Sequence, residues 1–212
     1  MSQELRPGSR IDLHVHTATF SLDSGLSPEF AVARARSQGL SALCFTEHNA
    51  AWPEADLRAL SERLEFPLFS GMEVSTDVGH VLVFGLDRYR PEMALVKQLR
   101  RFVRADGAAM ALAHPNRSPA YSGSWADAPA LFDAIEAVNG DESLASHRLG
   151  QGLADGLGIP AIGGSDAHTA AAIGRAFTSF SVNIANERQL IQALLAGEVS
   201  AILNSFPPPT TH

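Results

Sequence analysis

One pattern recurs along this chain and limits the folds open to it: a short apolar run, a turn, then an amphipathic helical stretch. Residues 11–15 read as a first strand. Ser27 and Pro28 supply an N-cap and a first-turn proline for a helix that Gly39 closes. Residues 40–45 read as the next strand, and Pro53 starts a helix with Leu57, Leu60 and Leu64 on one face. Residues 67–74 and 80–85 read as two strands around a turn. A helix is expected over 91–105 with Leu95, Leu99 and Phe102 on its buried stripe, strands over 108–113 and 134–138, and a helix over 143–157. Strands over 159–163 and 177–182 follow. Asn186 then caps a last helix, with Leu190, Ile191, Leu194 and Leu195 inward and Gly197 at its stop.

Strands alternating with helices imply an α/β fold with a mostly parallel sheet covered by helices. The expected architecture is one small, irregular barrel domain over residues 10–204, with residues 1–9 and 205–212 as loose tails. In such barrels chemistry gathers where the C-terminal strand ends and their loops meet. The alternative is an open doubly wound sheet, but no Gly-x-Gly-x-x-Gly loop follows the first strand to favour a dinucleotide site.

Polar residues concentrate at those strand ends. His14 and His16, two apart in residues 11–17, project from one face of a strand while Leu13 and Val15 face the other way. Of eight histidines, His14, His16, His48, His80, His114 and His168 fall at strand ends or in the loops after them; His147 and His212 do not. Asp23, Glu73 and Asp166 occupy the same kind of position. Six imidazoles and three carboxylates are too many for one ion and suit two or three divalent cations. Without thiolates the set favours zinc, manganese or iron.

Asp12-Leu13-His14-Val15-His16-Thr17, Thr46-Glu47-His48-Asn49, Gly71-Met72-Glu73-Val74-Ser75, Gly79-His80-Val81, Ala113-His114-Pro115 and Gly163-Gly164-Ser165-Asp166-Ala167-His168 stand in this order along the chain. Over residues 10–180 they resemble the polymerase-and-histidinol-phosphatase (PHP) superfamily of metal-dependent phosphoesterases. The resemblance implies a distorted (β/α)7 barrel of the PHP type, with mostly parallel strands and a trinuclear metal centre. It implies a first metal on His14, His16, Glu73 and Asp166, a second on Glu73, His80 and His114 with Glu73 bridging, and a third on Asp23, His48 and His168. The same resemblance implies Glu73, Asp166 and His168 as the catalytic members of that set.

The chemistry expected of it is hydrolysis of a phosphate ester. Two such metals share a bridging hydroxide that attacks phosphorus in line, and a third steadies the charge of the transition state. Arg117 and Arg148 are the candidate phosphate-binding residues, because a guanidinium fork matches phosphate; for Arg175 a role in closing the barrel is preferred. His147 is the candidate general acid for the leaving alkoxide.

Composition narrows the substrate. A net charge of −7 argues against a membrane surface or an extended nucleic-acid face, and three divalent ions would cancel most of it. No apolar run is long enough to span a bilayer, and the polar residues 1–10 lack the apolar core of an export signal. Cys44, the only cysteine, sits in an apolar run as a small buried hydrophobe; a cytoplasmic protein is expected. The expected substrate is a small phosphorylated compound, a nucleotide or a metabolite phosphate ester, cleaved by a phosphatase or phosphodiesterase. The alternative is a nuclease or exonuclease acting on oligonucleotide ends, although 7% aromatic residues and no basic-aromatic cluster disfavour it. An amidohydrolase-type enzyme that bridges its metals with a carbamylated lysine is less favoured still, because the only lysine, Lys97, lies on an amphipathic helix. A barrel that has lost catalysis is the reading outside enzymes, and nine chemically competent ligand positions argue against it.

Overall fold

The computed structural model describes residues 8–117 and 120–204. Of the expected tails at residues 1–9 and 205–212, residues 1–7 and 205–212, His212 among them, lie outside the described residues. Ser9, assigned to the first tail, is buried and accepts a hydrogen bond from the Phe180 N–H at 2.8 Å.

The chain runs through β1 (Arg10–Val15), α1 (Pro28–Ser37), β2 (Ala42–His48), α2 (Glu54–Leu64), the hairpin β3 (Leu68–Thr76) and β4 (Gly79–Phe84), and α3 (Val96–Asp106). It continues through β5 (Ala109–Leu112), the single turn α4 (Ala128–Leu131), β6 (Ala134–Asn139), α5 (Leu144–Leu157), β7 (Ala161–Gly164), β8 (Ala176–Phe180), α6 (Glu187–Ala196) and β9 (Val199–Leu203).

Capping accounts for most boundaries. The Ser27 hydroxyl accepts from the Phe30 N–H to start α1, and Asn186 accepts from the Gln189 N–H to start α6. Gly197, at φ 69°, stops α6 in the left-handed conformation that glycine adopts without strain. The helix expected over 91–105 is broken. A 3₁₀ turn at Pro91–Ala94 is followed by an extended Leu95, and Asp77 accepts from the Val96 N–H to begin α3 afresh. Leu95 is therefore 53% exposed, and the buried stripe is Val96, Leu99 and Val103. On α6 Leu190 and Leu194 are buried as expected together with Ala193, and Leu195 faces out.

The strands form one sheet in the order β7-β6-β5-β4-β3-β2-β1-β8-β9. The pairs β1–β2, β2–β3, β5–β6 and β6–β7 are parallel; β3–β4, β4–β5, β1–β8 and β8–β9 are antiparallel. This corrects the expected count of seven strands and the mostly parallel pairing: the described residues carry nine strands of mixed direction. Two residues join Thr76 to Gly79, too few for a crossover, so β4 must return antiparallel. The strand β9 has no counterpart in the sequence reading; its residues alternate weakly and are mostly half-buried or exposed.

The sheet nearly closes. Val15 bridges Ala167 beyond β7, with His16 N–H donating to the Ala167 carbonyl at 3.0 Å. Asp12 sews the seam below this bridge, accepting from the Ser165 N–H at 2.8 Å and the Gly174 N–H at 3.0 Å. A register shift between Asp12 and Val15 interrupts β1 there. Leu13 consequently packs with Leu82, Phe84, Ala111 and the inner residues of α6, whereas Val15 packs with α1 and α2, and the two do not share a face as expected. Among the described residues no helix is long and apolar enough to cross a membrane.

Candidate metal centre

Every candidate ligand emerges at one end of the barrel. His14, His48 and Glu73 sit at or near the C-terminal ends of β1, β2 and β3, and His16 follows β1. His114 follows β5, and Asp166 and His168 follow β7. His80 lies near the start of β4, which reaches the same end because β4 runs against β3. Two of these residues sit on strained backbone, His114 at φ 24° and Asp166 at φ 54°, a region L-residues seldom enter outside sites that constrain them.

The structure brings all nine candidates together. His14 Nε2 lies 3.5 Å from Glu73 Oε2 and 3.4 Å from Asp166 Oδ1; His16 Nε2 lies 3.3 Å from each. A tetrahedral ion ~2.0–2.1 Å from each donor requires donors about 3.3–3.4 Å apart. Both Nε2 atoms are buried and make no hydrogen bond, a costly arrangement for a polar atom that nothing else occupies. The first donor set therefore fits a divalent cation. At the second, Glu73 Oε1 lies 2.9 Å from His80 Nδ1 and 2.9 Å from His114 Nε2, so the two carboxylate oxygens of Glu73 face different sets. At the third, Asp23 Oδ2 lies 3.0 Å from His48 Nε2 and 3.2 Å from His168 Nε2, with Asp23 56% exposed. His16, assigned to the first set alone, also stacks against His48 and His168 with ring centroids 4.2 and 4.4 Å away.

The opposite nitrogens of the strand histidines are already held. His14 Nδ1 donates to Glu136 Oε1 at 2.9 Å. His16 Nδ1 donates to the Ser21 hydroxyl at 3.3 Å, which itself donates to Glu47. Each ring is thereby fixed with Nε2 turned toward Glu73 and Asp166, the arrangement in which outer carboxylates orient metal-binding imidazoles. Burial alone would push the Glu73 and Asp166 carboxyls up, but the His14 imidazole beside them holds both below the usual carboxylate range. Burial works against a charged His14, but Asp166, Glu136 and Glu73 outweigh it and hold the imidazole's pKa well above the usual histidine range. A divalent ion at Nε2 competes with that proton. The hydrogen bond to Glu73 raises His48 to about 8.

A cavity of about 210 Å³ is lined by Asp23, His48, Glu73, His80, His114, Arg117 and Asp166. A larger one, of about 490 Å³, lies between α2, the first residues of α6 and the start of β3; none of the candidate ligands lines it.

The other candidates divide. Arg117 lines the metal-site cavity, its guanidinium bound to Asp166 and, at 2.9 Å, to Asn139 Oδ1. Arg148 lies exposed on α5 and does not line that cavity. His147 is turned into the protein and donates from Nε2 to the Asn139 carbonyl at 2.7 Å, so its ring is not presented to the cavity as a general acid. The two are neighbours on the expected helix but lie on different faces of it, His147 buried and Arg148 exposed, and neither face lines the cavity.

Three buried acids around the centre, Asp12, Glu47 and Glu136, had no role in the sequence reading. Glu47 accepts from the Thr17 N–H and hydroxyl, the Ser21 hydroxyl and Trp52 Nε1, which steadies the loop leading to Asp23. Burial pushes the Asp12 carboxyl up to about 6. The signal for Glu136 was a lone charge inside the apolar run 134–138.

The model of the PHP domain matches residues 12–110, and the PHP-associated model matches residues 145–199. A 3′,5′-nucleoside bisphosphate phosphatase of Chromobacterium violaceum is 29% identical over 133 residues, 58% of this chain and 46% of the relative. The chain thus spans less than half the length of that curated relative. The crystal structure of PsfC from Pseudomonas syringae superposes with a TM-score of 0.72 at 23% identity, covering 94% of this chain and 93% of that one. A two-domain protein from Bacteroides vulgatus, described as containing a predicted PHP-like metal-dependent phosphoesterase, superposes with a TM-score of 0.68 at 21% identity, covering 96% and 69%. At these identities the two structures bear on the fold alone.

Proposed function

This chain belongs to the PHP family, and on that footing we propose that it is a metal-dependent phosphoesterase acting on a small phosphorylated compound, a nucleotide or metabolite phosphate ester. The observation that carries the reading is the first donor set: two imidazole nitrogens, buried without hydrogen bonds, face two carboxylate oxygens at 3.3–3.5 Å. His14, His16, Glu73 and Asp166 would hold one ion, Glu73, His80 and His114 a second, and Asp23, His48 and His168 a third. Two or three divalent ions there, zinc, manganese or iron, would supply an acidified water for attack on phosphorus and positive charge against the phosphoryl oxygens.

The protein's own groups do the positioning. Glu73 spans the first two sets with its two oxygens, so it fixes their separation. Arg117 offers the guanidinium on the cavity wall, and its bond to Asp166 orients both partners. A space of about 210 Å³ suits a phosphoryl group among its ligands and leaves the rest of the substrate at the mouth. That favours discrimination by the phosphate over readout of a long polymer. The nucleoside bisphosphate phosphatase named above supports a small ester as substrate.

The experiment is a turnover screen of phosphorylated metabolites, nucleoside bisphosphates and an aryl phosphate, with amides and lactones alongside, using protein reconstituted with manganese, zinc or iron. Release of inorganic phosphate from a small ester is the expected result. Stoichiometric metal with no turnover of any phosphate ester would overturn the reading in favour of a non-catalytic barrel, and turnover of amides or lactones instead would move the chain to the amidohydrolase chemistry.

A further inference from the structure

We infer that Glu136 is a positioning residue that holds His14, of the first donor set, and His114, of the second, in fixed relation to each other. The inference rests on the metal reading above and goes beyond it, since Glu136 touches no candidate ion position.

Glu136 lies on β6 with 1% of its surface exposed, and all three of its partners present N–H groups. Its Oε1 accepts from His14 Nδ1 at 2.9 Å. Its Oε2 accepts from the His114 backbone N–H at 2.9 Å and from Asn139 Nδ2 at 3.0 Å. The first bond selects the His14 tautomer that leaves Nε2 free to face Glu73 and Asp166. The second pins the backbone of His114 at its strained φ of 24°, from which its ring reaches Glu73 Oε1 at 2.9 Å. The third passes through Asn139 to Arg117. One carboxylate thus orients a member of each donor set and, at one remove, the cavity's arginine.

The neighbouring strand leaves room for nothing bulkier. A Cβ on Gly164 would stand 2.4 Å from His14 Cβ and 2.8 Å from Glu136 Oε1. Glycine at 164 is what allows β7 to pass beside this contact. A buried acid that merely stapled the fold would have no need to meet the far side of a metal-facing imidazole, and the rival reading is separable by experiment.

The full chain is freed of metal by chelation and titrated with Co²⁺, followed by the visible absorption of the bound ion, in wild type and Glu136→Gln. Thermal unfolding of the metal-free proteins is measured in parallel. The amide is nearly isosteric but turns a donor toward at least one of the three donors. Cobalt affinity is expected to fall about 10–100-fold, with altered band intensities, while the metal-free unfolding midpoint stays close to wild type. Wild-type affinity and spectrum in Glu136→Gln would overturn the inference. So would a variant whose metal-free form no longer unfolds cooperatively, which would assign Glu136 to the fold. If the wild type itself binds no Co²⁺, the metal reading fails and this inference falls with it.

Discussion

Glu73 Oε1 lies 2.9 Å from His114 Nε2, joining β3 to the loop after β5 over 41 positions of sequence. The other oxygen of the same carboxylate faces His14, His16 and His48. No other carboxylate of the centre meets so many of the candidate imidazoles. Glu73→Ala is therefore expected to lose metal from more than one set, and Asp166→Ala from the first. Removal of an outer partner typically costs about 10–100-fold, so each of these changes should lower turnover by at least about 100-fold with the far-UV circular dichroism retained. Either variant turning over near the wild-type rate would show that the donor sets are wrongly assigned.

Ions that bind the folded chain and not the unfolded one must raise its stability. At a free concentration 100 times the dissociation constant, one site contributes about 2.7 kcal/mol. In a domain of this size 1 kcal/mol moves the unfolding midpoint by about 2–4 °C, so saturating one tight site should raise it by roughly 5–10 °C over the chelated protein. Differential scanning with and without chelator measures this directly. An unchanged midpoint would argue against any structural occupancy of the centre.

Arg117 and Arg148 should behave differently. Arg117 bonds Asp166 and Asn139 at the cavity wall, whereas Arg148 is exposed on α5. Arg117→Ala is expected to lower kcat/KM by roughly 100-fold, the scale for removing one donor to a charged transition state, and Arg148→Ala should stay within about twofold of wild type. Steady-state kinetics on the best substrate from the screen decides between them. A large effect at Arg148 alone would reverse the assignment.

Cys44 is fully buried, and burial pushes its thiol well above the usual range. Because the thiolate is the reactive form, a disulfide reagent should label Cys44 only as the chain unfolds. The linkage has a definite sign. A thiol raised in the folded state leaves stability intact below the unfolded value of about 8.5, and stability declines as pH climbs above it. Cys44→Ala should flatten that alkaline decline in a denaturation series; an equally steep decline in the variant would remove Cys44 as its cause.

The local half of this structure was open to a reader of the sequence. Ser27 before Pro28, and Asn186 ahead of Gly197, mark two helices because caps and stops act over three or four residues. The six imidazoles and three carboxylates at strand ends announced their chemistry by residue type alone, since so many metal-binding groups at one kind of position have little structural use. Where prediction went astray, a local rule met a longer-range one. Leu95 matched a helical stripe, but the Asp77 side chain, 19 positions before Val96, restarted the helix at that residue.

What the chain by itself determined was the inventory: most of the segments that become strands and helices, β9 and the break ahead of α3 excepted, and which side chains at their ends carry donor atoms. Tertiary structure decided the partnerships. The bonds of Glu136 to His14 and of Arg117 to Asp166 span 122 and 49 positions, and no local rule could have paired them. Periodicity and capping reach no further than a turn or two of chain. The energy that selects these contacts comes from closing the barrel, when polar groups leaving water must each find a partner among whatever the seam brings near.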